Sequence, residues 1–362
     1  MDFESIASTI PPLGQAGTAY AAKDCKGIQN SRFIKYLQYL RSFQPIRMDR
    51  KIFIVCDRNV EEFARKTAPG RPLMAITADE EHKNIGTVTD ICRWLMEQGA
   101  DRSSVLYAVG GGVTTDLAGF AASIYKRGIR YVNYPTTLLC QVDAGIGGKT
   151  GVNLDSYKNM MGVTRFPADT RILPDVLKTL PPRELRSGAA EMLKTFIIED
   201  HGNYGRAVKV LSAPELDYKA LHELALEAAE VKRRIVEKDP FEEGPRRKLN
   251  LGHTYGHAIE WYQHVHGVAE PLSHGEAVAI GIIRAAEISE RLRLAAPGLA
   301  DRLRSDFKAC GLPTELPCPE AGLDAAIWKD KKVENGKIHF VLIRRIGKVT
   351  IEDLDDLHKF TE

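Results

Sequence analysis

Five of the chain's ten histidines, His253, His257, His264, His266 and His274, fall within 22 residues. His253 and His257 are four apart, so on a helix both imidazoles project from one face. His274 follows a segment containing Gly and Pro that can swing it back toward that face. The lead-in, Arg246-Arg247-Lys248-Leu249-Asn250, is basic and carries an amide. Imidazoles ligate zinc-like metals and basic side chains hold anions, so the pattern reads as a metal site beside an anion site. A catalytic zinc takes three protein ligands and keeps one position open. With His253 and His274 as two of them, Glu191 is the candidate third. It follows Gly188-Ala189-Ala190, whose small side chains permit close helix approach, and Lys194 comes one turn later. An exposed Glu–Lys pair is the plain alternative. His264 and His266 lie in loop-like sequence and read as solvated.

Two glycine-rich stretches carry further chemistry. Gly110-Gly111-Gly112 directly follows an apolar run and precedes a small-residue helix. Glycines let backbone approach a pyrophosphate, and a helix N-terminus supplies N–H groups and partial positive charge. Thr115 stands where the third glycine of G-x-G-x-x-G would be, so a structural tight turn remains an alternative. Asp57 and Asn59, after an earlier apolar run, are placed to reach an adenosine ribose or else to cap a turn. The second stretch, Gln141 to Gly151, has four glycines around Asp143 and Lys149, with Lys158-Asn159 soon after. It lacks the order of a P-loop and reads as a loop for a polar, anionic substrate, or as a solvated surface loop.

These residues need elements to position them. Short apolar runs at 51–56, 72–77, 104–109 and 130–134 predict buried parallel strands, and 84–98 and 114–123 predict helices between them. Strands alternating with helices predict an open α/β sheet. Past about residue 184 the apolar spacing is helical over 183–198, 218–238, 253–263, 276–292 and 299–310. A domain boundary is expected at Leu180-Pro181-Pro182, dividing the chain into 1–183 and 184–362. Residues 1–49 carry no readable function.

At 362 residues the chain is long enough for two cores, and its net charge of +2 argues against nucleic acid or membrane as partner. Six scattered cysteines without a C-x-x-C pair predict reduced thiols. The N-terminus has no basic region followed by an apolar core, and no apolar run approaches the roughly 20 residues needed to span a bilayer. A cytoplasmic protein is expected.

The motifs agree in order and spacing over about residues 51–350. Gly110–Gly112 through Asp116-Leu117-Ala118-Gly119-Phe120, Tyr125-Lys126-Arg127-Gly128, Pro135-Thr136-Thr137 and Asp143 through Gly151 come first. Lys158-Asn159, Thr179-Leu180-Pro181, Glu191 with Lys194, Asn250 through His257, and His274-Gly275-Glu276 follow. Together they resemble the 3-dehydroquinate synthase family of sugar phosphate cyclases. Residues 1–49 do not resemble that family's N-terminal strands.

The resemblance implies a Rossmann-like NAD domain followed by a mainly α-helical metal and substrate domain. It implies Zn²⁺ (or Co²⁺) on Glu191, His253 and His274. It implies NAD⁺ on Asp57, Asn59, Glu80, Lys83, Gly110, Gly111, Gly112, Asp116, Thr136, Thr137, Thr179 and Glu184. Asp143, Lys149, Lys194 and His257 would serve catalysis. Lys158, Asn159, Lys232, Arg246, Asn250 and Lys331 or Lys332 would bind a phosphorylated, carboxylated sugar. Arg127 would reach across a homodimer into the neighbour's phosphate site.

The implied reaction converts 3-deoxy-D-arabino-heptulosonate 7-phosphate to 3-dehydroquinate and phosphate. It runs through transient oxidation by NAD⁺, phosphate elimination, re-reduction, ring opening and intramolecular aldol closure. Lys232 and Arg246, fourteen residues apart, match the family's carboxylate clamp and argue against cyclases of uncarboxylated sugars. An amino-dehydroquinate synthase would keep that clamp and stays open. A metal-dependent alcohol dehydrogenase would give the phosphate and carboxylate cations no role, and a non-catalytic module would not need every ligand position.

Overall fold

The computed structural model describes residues 50–155, 157–323, 326–327, 333–334 and 337–354. Residues 1–49 and the candidate phosphate ligands Lys331 and Lys332 lie outside the described residues.

The four apolar runs form strands β1 (Ile52–Asp57), β2 (Leu73–Ile76), β3 (Val105–Gly110) and β4 (Arg130–Pro135). With β7 (Asp169–Thr170) they make a parallel sheet in the order β2-β1-β3-β4-β7. Every residue of β3 is buried, as expected of a central strand covered on both faces. Helix α1 (Glu61–Thr67) joins β1 to β2, α2 (Ile85–Glu97) joins β2 to β3, and α3 (Gly112–Ile124) joins β3 to β4. Asn84 starts α2 by accepting the Thr87 N–H, and Val88, Ile91 and Leu95 form its buried stripe. Ile85 and Met96, at the two ends of the same apolar pattern, are exposed. The chain leaves β1 toward β2 on one side and returns to β3 on the other. The carboxyl ends of β1 and β3 therefore flank the point where strand order reverses, where open α/β sheets bind ligands.

The Gln141–Gly151 stretch is not simply a loop. A π-helical turn over Cys140–Ala144 leads to a hairpin of β5 (Lys149–Leu154) and β6 (Tyr157–Thr164). Gly151 pairs with Gly162 across it, and a Cβ on Gly151 would stand 2.7 Å from the Met161 carbonyl oxygen. Glycine here serves close strand approach, which composition alone presents as loop character.

The helical half contains α4 (Pro182–Glu199), α5 (His201–Leu211), α6 (Tyr218–Lys238), α7 (His253–Val265), α8 (His274–Arg291) and α9 (Leu299–Ala309). Helix α5 was not anticipated from spacing. Nor does spacing announce the antiparallel sheet of β8 (Val333–Glu334), β9 (Lys337–Arg345) and β10 (Lys348–Leu354), which accompanies the helices of this mainly helical half. The run Phe340-Val341-Leu342-Ile343 is buried against the helices, so no alternation betrays the strand.

Two hydrophobic cores are present among the described residues. One joins the sheet to α2 and α3, and the other joins α4 to α9 with β9. Thirteen of the 18 residues of α8 are buried, and it runs through the helical core. Ser273 and Glu276 close its N-terminus as a capping box, which sets where His274 begins the helix. At Gly275 the helix touches α4: a Cβ there would lie 2.0 Å from the Ser187 carbonyl oxygen. No described helix is long and apolar enough to cross a membrane.

Candidate active site

Glu191 on α4, His253 at the start of α7 and His274 at the start of α8 converge, with ligand atoms all within 4.8 Å of one another. The Gly275–Ser187 contact permits this, because it lets α8 press onto α4 one turn from Glu191. His253 Nδ1 lies 3.2 Å from the Leu251 carbonyl oxygen, and His274 Nδ1 lies 3.4 Å from Glu260 Oε2. Bonds at Nδ1 direct Nε2 inward; His274 Nε2 is 3.7 Å from Glu191 Oε1. Glu191 is fully buried, and among the described residues neither of its carboxylate oxygens has a partner in hydrogen-bond geometry. The buried Lys194 ammonium contacts Oε2 as an ion pair without hydrogen-bond geometry. Burial works against a charged His274, yet Glu260 and Glu191 beside it raise its pKa. Burial likewise opposes ionised Glu260, but His274 and Lys158 bring it down to about 2.

His257 is one helical turn from His253, with ring centroids 5.2 Å apart, and 6.3 Å from the His274 ring. His264 and His266 are exposed at the far end of α7, and His266 stacks on Tyr262.

Cations and amides surround this group. Lys232 on α6 is buried and bonds both the Asp143 carboxylate and its carbonyl oxygen, the latter at 2.8 Å. Burial favours neutral Asp143, but Lys232 and Lys194 outweigh it and hold the carboxyl well below the usual range. Arg246, also buried, donates Nη1 to the Pro240 carbonyl oxygen at 2.6 Å and Nη2 to that of Gly147 at 2.8 Å. Lys149 pairs with Glu242 Oε2, while Asn250 Nδ2 donates to Glu242 Oε1. Lys158 Nζ lies 3.3 Å from Glu260 Oε1.

Among the nucleotide candidates, Asp57, Gly110–Gly112, Thr136 and Thr137 lie at or just past the carboxyl ends of β1, β3 and β4. The Asp57 side chain accepts the Asn59 N–H at 2.9 Å, a turn cap at the end of β1. The Gly110–Gly112 turn leads into α3, and a Cβ on Gly110 would meet Thr114 Oγ1 at 2.4 Å. Thr115, in place of a third glycine, turns its hydroxyl back to the Gly112 carbonyl oxygen at 3.0 Å. The Thr136 N–H donates to Gly110, and Thr137 Oγ1 accepts from the Cys140 N–H. Lys83 pairs with Asp116 at 2.7 Å and donates to Asn159 Oδ1 at 2.6 Å. Glu80 accepts from Asn153 Nδ2 at 2.8 Å. Thr179 and Glu184 are exposed on either side of the start of α4. Arg127 is exposed in a left-handed turn with φ of 66°, and no hydrogen bond or ion pair ties it to the other candidates among the described residues.

The family model for the N-terminal region of 3-dehydroquinate synthase matches residues 73–187, and that for the C-terminal region matches 188–333. The chain belongs to the 3-dehydroquinate synthase family. The 3-dehydroquinate synthase of Acidithiobacillus ferrooxidans is 40% identical over 321 residues, 85% of this chain and 86% of that protein. That of a Picosynechococcus species is 39% identical over 335 residues, 88% and 90% of the two chains. Among solved structures, a 2-deoxy-scyllo-inosose synthase complexed with carbaglucose-6-phosphate, NAD⁺ and Co²⁺ is similar at a TM-score of 0.77. It is 25% identical, covering 88% of this chain and 91% of that one. The 2-epi-5-epi-valiolone synthase of Streptomyces hygroscopicus, with NAD⁺ and Zn²⁺ bound, gives 0.76 at 28% identity, covering 89% and 92%.

Four residues of this 3-dehydroquinate synthase family chain escaped the sequence reading. Glu260 was detectable, because it lies three residues after His257 and seven after His253 on the same helix face. Glu242 and Asn153 carry no such signal. Asp239 builds the turn that presents Arg246, its carboxylate accepting the N–H groups of Glu243, Gly244 and Arg246 at 2.8–3.0 Å.

Proposed function

We propose that the chain is a carbon–oxygen lyase that converts 3-deoxy-D-arabino-heptulosonate 7-phosphate to 3-dehydroquinate and phosphate. NAD⁺ and a divalent metal, Zn²⁺ or Co²⁺, are its cofactors. The observation that carries this reading is Glu191, a fully buried carboxylate that among the described residues is met by the Lys194 ammonium and faces two imidazoles, beside further buried cations. A carboxylate so placed fits a metal, and one oxygen plus two nitrogen ligands suit zinc or cobalt with a position left open. The glycine turn at the carboxyl end of β3 fits a dinucleotide pyrophosphate.

When bound, the metal supplies Lewis-acid chemistry and NAD⁺ accepts and returns a hydride. The chain's residues bind, orient and carry protons. Lys149, Lys158, Asn159 and Asn250 hold the phosphate, so that charge on the leaving group is neutralised. Lys232 and Arg246 hold the substrate carboxylate. His257, beside His253, carries protons to and from the substrate hydroxyls. Lys194 offsets the charge of Glu191, and Asp143 keeps Lys232 in place. Asp57, Asn59, Glu80, Lys83, Asp116, Thr136, Thr137, Thr179 and Glu184 surround the dinucleotide.

Residues 1–183 form the nucleotide domain and 184–362 the metal and substrate domain; one hydrophobic core lies within residues 53–152, and the other draws mainly on residues past 188 while also taking in Leu138, Val142 and Leu177. The enzyme works as a cytoplasmic homodimer, with Arg127 serving the neighbouring phosphate site. Arg127 is exposed, as a residue that reaches a neighbouring subunit must be.

Incubation with the heptulosonate phosphate, catalytic NAD⁺ and Zn²⁺ tests the reading. Stoichiometric phosphate without NADH accumulation is expected. Accumulating NADH would instead mark an alcohol dehydrogenase. Faster turnover of the amino analogue would mark an amino-dehydroquinate synthase.

A further inference from the structure

Glu260 stands between two parts of the candidate site that come from distant stretches of chain. Its Oε2 is 3.4 Å from His274 Nδ1 on α8, and its Oε1 is 3.3 Å from Lys158 Nζ on β6. It projects from α7, the helix that also carries His253. Its side chain is only 18% exposed, so its charge is poorly solvated and needs both partners. Lys158 balances that charge and fixes one oxygen, leaving the other to accept from the imidazole.

A metal-ligating imidazole is held in one tautomer and one orientation by what its other nitrogen bonds, and a carboxylate there also makes the imidazole a stronger ligand. His253 has a backbone carbonyl in that role, at Leu251. For His274 the role falls to a charged side chain anchored to the β5–β6 hairpin. We propose that Glu260 is a positioning residue of the metal centre, orienting His274 through Nδ1 while Lys158 holds its second oxygen. The inference rests on the reading of Glu191, His253 and His274 as metal ligands.

The test is Co²⁺ affinity of the metal-free full-length protein, measured by competition with a chelator. Glu260→Ala should weaken Co²⁺ binding toward the upper end of about 10- to 100-fold, and Glu260→Gln toward the lower end. The amide keeps the shape and one acceptor but loses the charge. The unfolding midpoint of metal-free Glu260→Gln should stay near that of the wild type, which separates a metal effect from a general loss of packing. Unchanged Co²⁺ affinity in both variants would overturn the proposal.

Glu191→Ala separates the two readings. If that variant also bound Co²⁺ like the wild type, the ligand assignment itself would fall. If the Glu260 variants fail to fold, histidine ¹⁵N NMR of the Zn²⁺-loaded wild type decides. A protonated, hydrogen-bonded Nδ1 on His274 is expected, and an Nδ1 ligating the metal would overturn the role.

Discussion

Lys83 Nζ lies 2.7 Å from Asp116 Oδ2, with the Lys83 side chain 7% and the Asp116 side chain 17% exposed. Burial pushes the Asp116 pKa up even against the attraction of Lys83. Lys83→Met would leave that carboxyl without its counter-charge and Asn159 without a donor. A stability loss on the order of 3 kcal/mol is expected in urea unfolding, together with weaker NAD⁺ binding. The stability loss should be largely recovered in Lys83→Met/Asp116→Asn; no recovery would show that the pair is not the cause.

Glu242 gathers Lys149 and Asn250, and its backbone is left-handed, with φ of 63°. Burial raises its pKa, but Lys149 and Asn250 outweigh this and hold it below the ordinary value of 4.5. A carboxyl with a depressed folded pKa stabilises above its unfolded pKa and loses that contribution as pH falls through the folded one. The melting temperature of the wild type should therefore exceed that of Glu242→Gln above about pH 4.5, and the gap should close with acidification. A gap that stayed constant to pH 3 would contradict the assignment.

The crossing of α8 on α4 depends on Gly275. Its missing Cβ would stand 2.0 Å from a backbone oxygen, which cannot move aside as a side chain does. Gly275→Ala is expected to cost about 1–3 kcal/mol or more and to loosen metal binding by shifting His274 from Glu191. Gly205→Ala on α5, where no atom of the described residues comes within 4 Å of the added Cβ, should be neutral or stabilising by about 0.5–1 kcal/mol. Chemical denaturation and Co²⁺ titration of both variants read these effects.

Arg246 already spends two N–H groups on the carbonyl oxygens of Pro240 and Gly147, which fixes the plane of its guanidinium. A fork so held is pre-organised for a carboxylate. Arg246→Ala should lower kcat/KM for the heptulosonate phosphate by about 10- to 100-fold and have a smaller effect on an analogue lacking the carboxylate. Equal losses on both substrates would reduce Arg246 to a brace between two loops.

The chain's local order was sufficient for much of this protein. Apolar runs at β1, β2, β3 and β4 and the 3.6-residue stripe of α6 announce their elements because each buries a continuous face. Gly110–Gly112 after a buried strand marks a turn of close backbone approach, and the spacing of His253 and His257 marks one helix face. Sequence distance hides what the tertiary structure decides. Glu191 and His274 are 83 residues apart, and the packing of α8 on α4, close at Gly275, brings them together. Glu260 bridges Lys158 and His274, and Glu242 bridges Lys149 and Asn250, because buried charges must find partners wherever the packing supplies them. The β5–β6 hairpin and the β8–β10 sheet were hidden for a related reason. Glycine spent on close strand pairing resembles a loop, and a strand buried on both faces has no alternation to read.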